Sequence, residues 1–292
     1  MVRRQPPVDL LGEDGPMKRA ALVTALALVA SAGCTGKDPG SEPTPTRSTA
    51  PAAVATATPA APAPRPATRL CYDLSYTQAL ESTTTIAPLP CKKPHTSRTF
   101  FVGTVDAVVD GHLLAVDSNQ VQDAIAATCP RQLAGYLGGS REDRRLSMLR
   151  AIWFSPSIEQ SDEGQNWFRC DVIALAGDER LAPLDGDPKG VLDESSRAAR
   201  FAMCGTADPE SPRFERITCS ATHSWKAIAT VDAEGRDFPG ADALRVDGKA
   251  ACEDPARAVA PDPLTVTWSY EPPTLEQWRA GQHYGICWVP EG

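Results

Sequence analysis

The sequence predicts an α+β protein built from two related, small, disulfide-stabilised modules, each a small antiparallel sheet with one or two covering helices. Three observations lead to that class. Eight of the nine cysteines fall into two quartets, Cys71, Cys91, Cys129 and Cys170, then Cys204, Cys219, Cys252 and Cys287. The quartets sit in matching local text, so the chain carries a degenerate internal repeat. Within each copy, short β-branched runs alternate with segments of helical spacing.

The repeat opens on Cys91-Lys-Lys-Pro-His95-Thr-Ser-Arg98-Thr-Phe100 and Cys219-Ser-Ala-Thr-His223-Ser-Trp-Lys226-Ala-Ile228. A Thr-Val-Asp-Ala segment follows in each copy, at Thr104–Ala107 and Thr230–Ala233, and then a cysteine in an Ala-rich stretch, Cys129 or Cys252. The closing motif repeats without a gap. Pro156, Glu159, Gln160, Gly164, Gln165, Trp167 and Cys170 stand 117 residues before Pro273, Glu276, Gln277, Gly281, Gln282, Tyr284 and Cys287. The modules are therefore placed at 69–175 and 200–292, joined by an Asp/Gly/Pro-rich connector at 176–199.

In the first module, 99–109 (TFFVGTVDAVV) reads as a strand. Residues 122–137 read as a helix with Ile125, Cys129, Leu133 and Leu137 on one stripe. Residues 141–150 read as a basic, solvated helix and 151–154 as a short strand. A helix at 157–165 stops at Gly164, because glycine tolerates a left-handed backbone, and 167–175 is the closing strand. The second module mirrors this with strands at 227–231, 264–270 and 284–289 and helices at 250–258 and 274–280.

Residues 1–16 resemble neither a signal nor a folded element and read as a non-native extension before Met17. From Met17 the chain has the layout of a secretory signal: Lys18 and Arg19, an apolar run at 20–30, then Ser31-Ala32-Gly33. The run is shorter than the roughly 20 residues a spanning helix needs. The ending before Cys34 is similar to a bacterial lipobox, with Ser31 where such motifs usually carry Leu. Cys34 is thus the expected lipidation site, and the membrane, reached through that lipid, the first expected partner. Residues 34–68 are rich in Pro, Ala, Thr and Ser. This composition cannot bury enough apolar surface to offset chain entropy, so it reads as a disordered tether, about 100 Å long at about 3.1 Å per residue.

An exported chain with eight quartet cysteines is expected to form four disulfides. Four cysteines allow three pairings per half, and spacing does not choose among them. The pairing favoured here clips first strand to last and turn to helix: Cys71–Cys170, Cys91–Cys129, Cys204–Cys287 and Cys219–Cys252.

Cys91, Pro94 and His95, the helical Cys129, and the closing Gly164, Trp167 and Cys170 resemble the septum formation family, exported or membrane-anchored actinobacterial envelope proteins. The second copy departs at Thr222, where the family has Pro, and at Tyr284, where it has Trp. The resemblance covers most of 69–292. It implies a link to division and no established reaction or catalytic set.

His95 and His223 recur at one place in both copies. The expected role is structural, each donating to a backbone carbonyl after a turn. The competing reading makes Cys91/His95 and Cys219/His223 metal ligands, but a structural zinc site usually needs four, and His112 and His283 have no counterparts. Glu159 and Glu276 also recur, and are expected to be solvated or capping. No Gly-x-Ser-x-Gly, His-Glu-x-x-His or Gly-rich phosphate loop appears, and no cofactor, metal or catalytic set is expected. Trp225 and Trp278, opposite Ser97 and Ser161, are the candidate binding patch. The formal net charge is −8 for the chain and −10 over 69–292, with 32 acidic residues against 22 Lys and Arg there, which argues against nucleic acid. The expected function is a non-catalytic, lipid-anchored envelope module on the extracytoplasmic face of the membrane, binding division proteins, other envelope proteins or cell-wall material. A wall hydrolase, or a ligand- or metal-sensing lipoprotein, is the alternative.

Overall fold

The computed structural model describes residues 64–291. The expected extension, signal, Cys34 and the tether through residue 63 lie outside the described residues. At the tether's end Arg65 Nη2 donates to the carbonyls of Val102 and Gly103, at 3.4 and 3.3 Å.

The first half begins with β1 (Cys71–Tyr72), a one-turn helix α1 (Tyr76–Ala79) and β2 (Ser97–Thr104). The apolar run expected as one strand breaks after Thr104. Its remainder enters a hairpin of β3 (Val108–Val109) and β4 (His112–Leu113). Asp110 and Gly111 both take positive φ there, 51° and 78°, as a two-residue type I′ turn requires. Helix α2 (Asn119–Leu137) buries Val121, Ile125, Cys129, Leu133 and Leu137 along one face. Helix α3 (Arg141–Arg145) is held by a Ser140/Asp143 capping box. It stops five residues short of the expected end, because the backbone is already extended at β5 (Leu149–Phe154). Helix α4 (Ile158–Asp162) and β6 (Trp167–Leu175) close the half.

The stretch read as a connector is ordered and packs on the first half. It contains β7 (Leu181–Ala182), a 3-10 turn and α5 (Ser195–Ala198). Leu184, Val191 and Leu192 are buried in the first half's core.

The second half contains β8 (Met203–Gly205), β9 (Arg216–Thr218), β10 (Trp225–Asp232), α6 (Ala241–Ala251), α7 (Glu253–Val259), β11 (Ser269–Glu271), α8 (Leu275–Arg279) and β12 (Tyr284–Pro290). The one helix expected at 250–258 is two helices meeting at Cys252. The strand expected from Leu264 starts only at Ser269. Asp262 instead holds a turn, accepting from the Leu264 amide and the Thr265 hydroxyl, and Leu264 is 91% exposed.

The two sheets share one plan. The first runs β1-β2-β6-β5, with β7 also on β6; the second runs β9-β8-β10-β12-β11. Register matches strand for strand. Thr104 pairs with Trp167, as Asp232 pairs with Tyr284, and Phe101 pairs with Cys170, as Ala229 pairs with Cys287. Each long strand carries a bulge at the same place, between Thr99 and Phe101 and between Ala227 and Ala229. This register makes Asp232 the equivalent of Thr104. The Thr-Val-Asp-Ala segments are therefore not structural counterparts; their textual match is two residues out of step.

The favoured disulfide pairing is corrected. The bridges are Cys71–Cys91, Cys129–Cys170, Cys204–Cys219 and Cys252–Cys287. Strand order is the reason. β2 lies between β1 and β6, and β10 between β8 and β12. A Cys71–Cys170 or Cys204–Cys287 bridge would cross two strand spacings, roughly 9–10 Å, whereas disulfide Cα atoms lie within about 7 Å. Instead an antiparallel bridge to Leu89 brings the chain back beside Cys71, placing Cys91 within reach. Cys129, on the buried stripe of α2, meets Cys170 in β6.

The halves also meet each other. The expectation that 141–150 is a solvated basic face fails at Arg145 and Arg150, which are 2% and 5% exposed. Arg145 reaches into the second sheet, and Arg150 Nη1 donates to the carbonyls of Ser147 and Leu149 at 2.7 and 2.8 Å. Backbone bonds Met148 N to Phe201 O and Met203 N to Leu146 O stitch the two sheets together. Met148, Met203, Ala227, Tyr284, Ile286 and Trp288 form a shared apolar cluster there.

Candidate functional site

The paired histidines take matching positions. Both precede the first residue of a long strand by two, in the turn closed by the shorter bridge of their half. His95 Nδ1 lies 2.8 Å from the Lys93 carbonyl and His223 Nδ1 lies 2.7 Å from the Ala221 carbonyl. A carbonyl only accepts, so Nδ1 carries the proton in both. The remaining nitrogens differ. His95 is 2% exposed, and its Nε2 is buried with no hydrogen-bond partner among the described residues. His223 Nε2 faces Glu291 Oε2 at 3.2 Å.

That contact belongs to a small cluster. Donor atoms of Cys204, His223 and Glu291 all lie within 4.8 Å of one another. Lys226 Nζ holds the other carboxylate oxygen, Oε1, at 3.4 Å, and the Glu291 amide donates to the Ser224 carbonyl at 2.8 Å. With Cys204 and Cys219 bonded to each other, two free donors remain, His223 and Glu291, short of the four of a structural zinc site. The first half has no such carboxylate: register places Ala174 where Glu291 stands.

The repeated glutamates are surface groups. Its own amide and the Ser157 hydroxyl, at 2.8 Å, hold the exposed Glu159 carboxyl below the ordinary glutamate range. It is therefore ionised at neutral pH and poorly suited to give up a proton as a general acid. The neighbouring glutamines explain the repeat. Gln160 and Gln277 close capping boxes with Ser157 and Thr274.

The candidate tryptophan patch is corrected. Trp278 is 4% exposed. It stacks on His283 with ring centroids 4.2 Å apart, and its Nε1 donates to the Arg236 carbonyl at 3.1 Å. Trp225 packs half-buried against the cluster shared by the halves. Neither ring forms a free apolar surface. The faces of α8 and β10 that carry them turn inward, which helical or alternating spacing does not reveal.

Two polar assemblies carry no sequence signal. Asp171, fully buried in β6, accepts from Thr99 Oγ1 at 2.7 Å and Ser97 Oγ at 3.1 Å. Arg169 Nη2 lies 3.2 Å away, with its guanidinium 3.8 Å over the Tyr72 ring. Burial pushes the Asp171 carboxyl upward, while Arg169 and the two hydroxyls pull against it. No solute reaches this group. The second assembly borders a cleft of about 220 Å³ between the 184–188 loop and the 196–201 helical turns. There Asp187 accepts from Tyr136 Oη at 2.6 Å and the Lys189 amide at 3.0 Å, and pairs with Arg98 at 2.8 Å. Asp185 pairs with Arg200. The charges at this cleft are thus joined to one another.

Fold and site together define a disulfide-braced tandem α+β protein whose recurring polar residues hold turns, caps and strands. The family model for septum formation matches residues 144–287, which supports the resemblance to that family over this stretch. The match runs from the end of α3 to Cys287 in β12. It includes the inter-half contact of Arg145 and both closing motifs, and leaves out Cys91, Pro94, His95 and Cys129. Neither the curated proteins nor the solved structures contain a match to this chain. Four disulfides and a septum formation domain are consistent with an extracytoplasmic protein. Among the described residues no helix is long and apolar enough to cross a membrane.

Proposed function

We propose that this is a non-catalytic envelope protein of the division apparatus, tethered by a lipid on Cys34 and acting as a binding or scaffold module for division proteins or cell-wall material. One observation carries the reading. Residues that occupy equivalent positions in the two halves are bound up in structure: the cysteines in bridges, His95 and His223 on turn carbonyls, Gln160 and Gln277 in caps. A catalytic pair would leave at least one titratable group open to solute and tuned to its task. The buried Asp171 and the exposed, ionised Glu159 are neither.

The test pairs anchoring with turnover. Cys34→Ser is expected to move the protein from the membrane fraction to the medium and to reproduce the septation defect of a deletion strain. The same protein, purified with its bridges intact, is expected to release no soluble fragments from isolated cell wall. Steady release of fragments would overturn the scaffold reading in favour of a hydrolase. Unchanged membrane retention of Cys34→Ser would overturn the lipid anchor.

A further inference from the structure

We propose that the Cys204–Cys219 bridge, once reduced, becomes a zinc site completed by His223 and Glu291. Three of the four donors already stand together, and the fourth, Cys219, is tied to them only through its bond to Cys204. Cys204, His223 and Glu291 present ligand atoms within 4.8 Å of one another, and Cys219 is bonded to Cys204. Zinc binds thiolate at about 2.3 Å and imidazole or carboxylate at about 2.0–2.2 Å in a tetrahedron, which sets donors roughly 3.3–3.8 Å apart. The cluster must close by about 1 Å, and the two sulfurs must part to that same spacing. Cys219 is half-buried in a turn, with its amide held on the Ala202 carbonyl at 2.9 Å, so the sulfur has to part by rotation of its side chain.

His223 is preset for the task. A metal-binding histidine typically gives its second ring N–H to a carbonyl or carboxylate, which fixes the tautomer. Here Nδ1 is given to Ala221, so Nε2 is the nitrogen that faces the cluster. In a neutral ring that nitrogen is a lone pair 3.2 Å from a carboxylate oxygen, acceptor against acceptor. A proton or a metal cation between them resolves the contact. Lys226, on Oε1, leaves Oε2 turned towards His223.

This bridge is also suited to opening. It closes a span of 15 residues, against 20, 41 and 35 for the others, so its loss frees the least chain entropy. Both cysteines of Cys129–Cys170 and of Cys252–Cys287 are without exposure, whereas here Cys204 is buried and Cys219 is half-buried, so Cys219 is the sulfur a reductant reaches. The chemistry balances with an external dithiol. Its thiolate attacks one sulfur and the S–S bond breaks. The dithiol leaves as its own cyclic disulfide, having supplied two electrons and two protons. Zinc then takes both sulfurs as thiolates, releasing those two protons. The first half, with Ala174 in place of Glu291, has no matching site.

The full chain, reduced with dithiothreitol and freed of it by anaerobic gel filtration, is titrated with Co²⁺ and then Zn²⁺. Alkylation and mass measurement report which bridge has opened. The expected result is one equivalent of Co²⁺ per chain, with thiolate charge-transfer and tetrahedral d–d absorption, displaced by Zn²⁺, which also shields Cys204 and Cys219 from alkylation. Oxidised protein shows neither. His223→Ala and Glu291→Gln, both near the surface, each weaken Zn²⁺ by at least about tenfold, the loss that even outer-shell partners cause. The proposal is overturned by absent Co²⁺ absorption in reduced protein, by undiminished binding in His223→Ala, or by loss of native near-UV dichroism when this bridge opens.

Discussion

Arg145 lays its guanidinium 3.9 Å over the ring of Tyr284 and reaches Asp232 Oδ1 at 2.6 Å. One side chain from the first half is thereby seated on two strands of the second. Glu142 supports it, accepting from the Thr230 amide at 2.6 Å and the Thr230 hydroxyl at 2.5 Å. Helix α3, ahead of the first closing motif, is thus a docking device between the halves. The stretch matched by the family model begins at residue 144 and takes in Arg145 with Asp232 and Tyr284 on the two strands it is seated on, which makes the docked pair the sensible unit of study.

Arg145→Ala is expected to lower the stability of the folded region by about 2–3 kcal/mol, since a desolvated cation–π contact is worth about 2 kcal/mol and a charge-assisted hydrogen bond is lost with it. Arg141→Ala removes an exposed contact to the same Asp232 and is expected to cost less than about 1 kcal/mol. Urea unfolding of the two variants, followed by tryptophan fluorescence, checks the contrast. Equal losses would show that Arg145 is no more than a surface charge.

Removing a buried bridge should cost more than removing a turn bridge. Cys129–Cys170 joins α2 to the centre of the first sheet across 41 residues, and Cys71–Cys91 closes 20. Loop entropy alone separates them by less than about 1 kcal/mol. The double alanine variant at 129/170 also leaves a cavity beneath α2 and is expected to lose about 2–5 kcal/mol. Thermal unfolding with the remaining bridges intact reads the order directly.

Acid should loosen the connector. Burial works against ionisation of Asp187, but Tyr136, the Lys189 amide and the charges of Arg98 and Arg69 outweigh it and hold its carboxyl below the usual aspartate range. A carboxyl lowered in the folded state adds stability above its unfolded pKa, and that stability drains away as pH falls through the folded value. Asp187→Asn should therefore flatten the fall of melting temperature below about pH 4, the unfolded aspartate value. An acid limb identical to that of the parent would remove Asp187 from this role.

Tyr270 is wedged between two glycines. A Cβ on Gly248 of α6 would meet its ring at 2.1 Å, and one on Gly285 of β12 would meet its hydroxyl oxygen at 2.1 Å. Burial, with Asp247 and Glu271 nearby, pushes the phenol up to about 12. Gly248→Ala and Gly285→Ala are each expected to destabilise by about 1–3 kcal/mol through overpacking. Combining Gly285→Ala with Tyr270→Leu should recover part of the loss, a non-additivity that a double-mutant cycle measures.

Much of this arrangement is written locally. The Ser-x-x-Gln and Thr-x-x-Gln boxes with Gly164 and Gly281 bound the two short helices. The largely apolar run of Trp167–Leu175 gives a strand with its ends in place, and the Ile125–Leu137 stripe is the buried face of α2. Other features depend on partners distant in sequence. Arg145 reads as a solvated charge until β10 and β12 are folded beneath it. Trp278 reads as a free ring until His283 and the Arg236 carbonyl close around it. Glu291 gives no sign in the sequence that it stands beside His223; only the repeated Cys-x3-His spacing marked that corner.

The chain alone therefore determined the duplicated α+β architecture, the two cysteine quartets and the turn role of the paired histidines, because caps, periodicity and repeated spacing act over a few residues. The tertiary structure decided which sulfurs meet, which arginine is buried and which carboxylate completes the His223 cluster. A disulfide or an ion pair needs its atoms a few ångströms apart, and strand order sets that distance: β2 stands between Cys71 and Cys170, as β10 stands between Cys204 and Cys287.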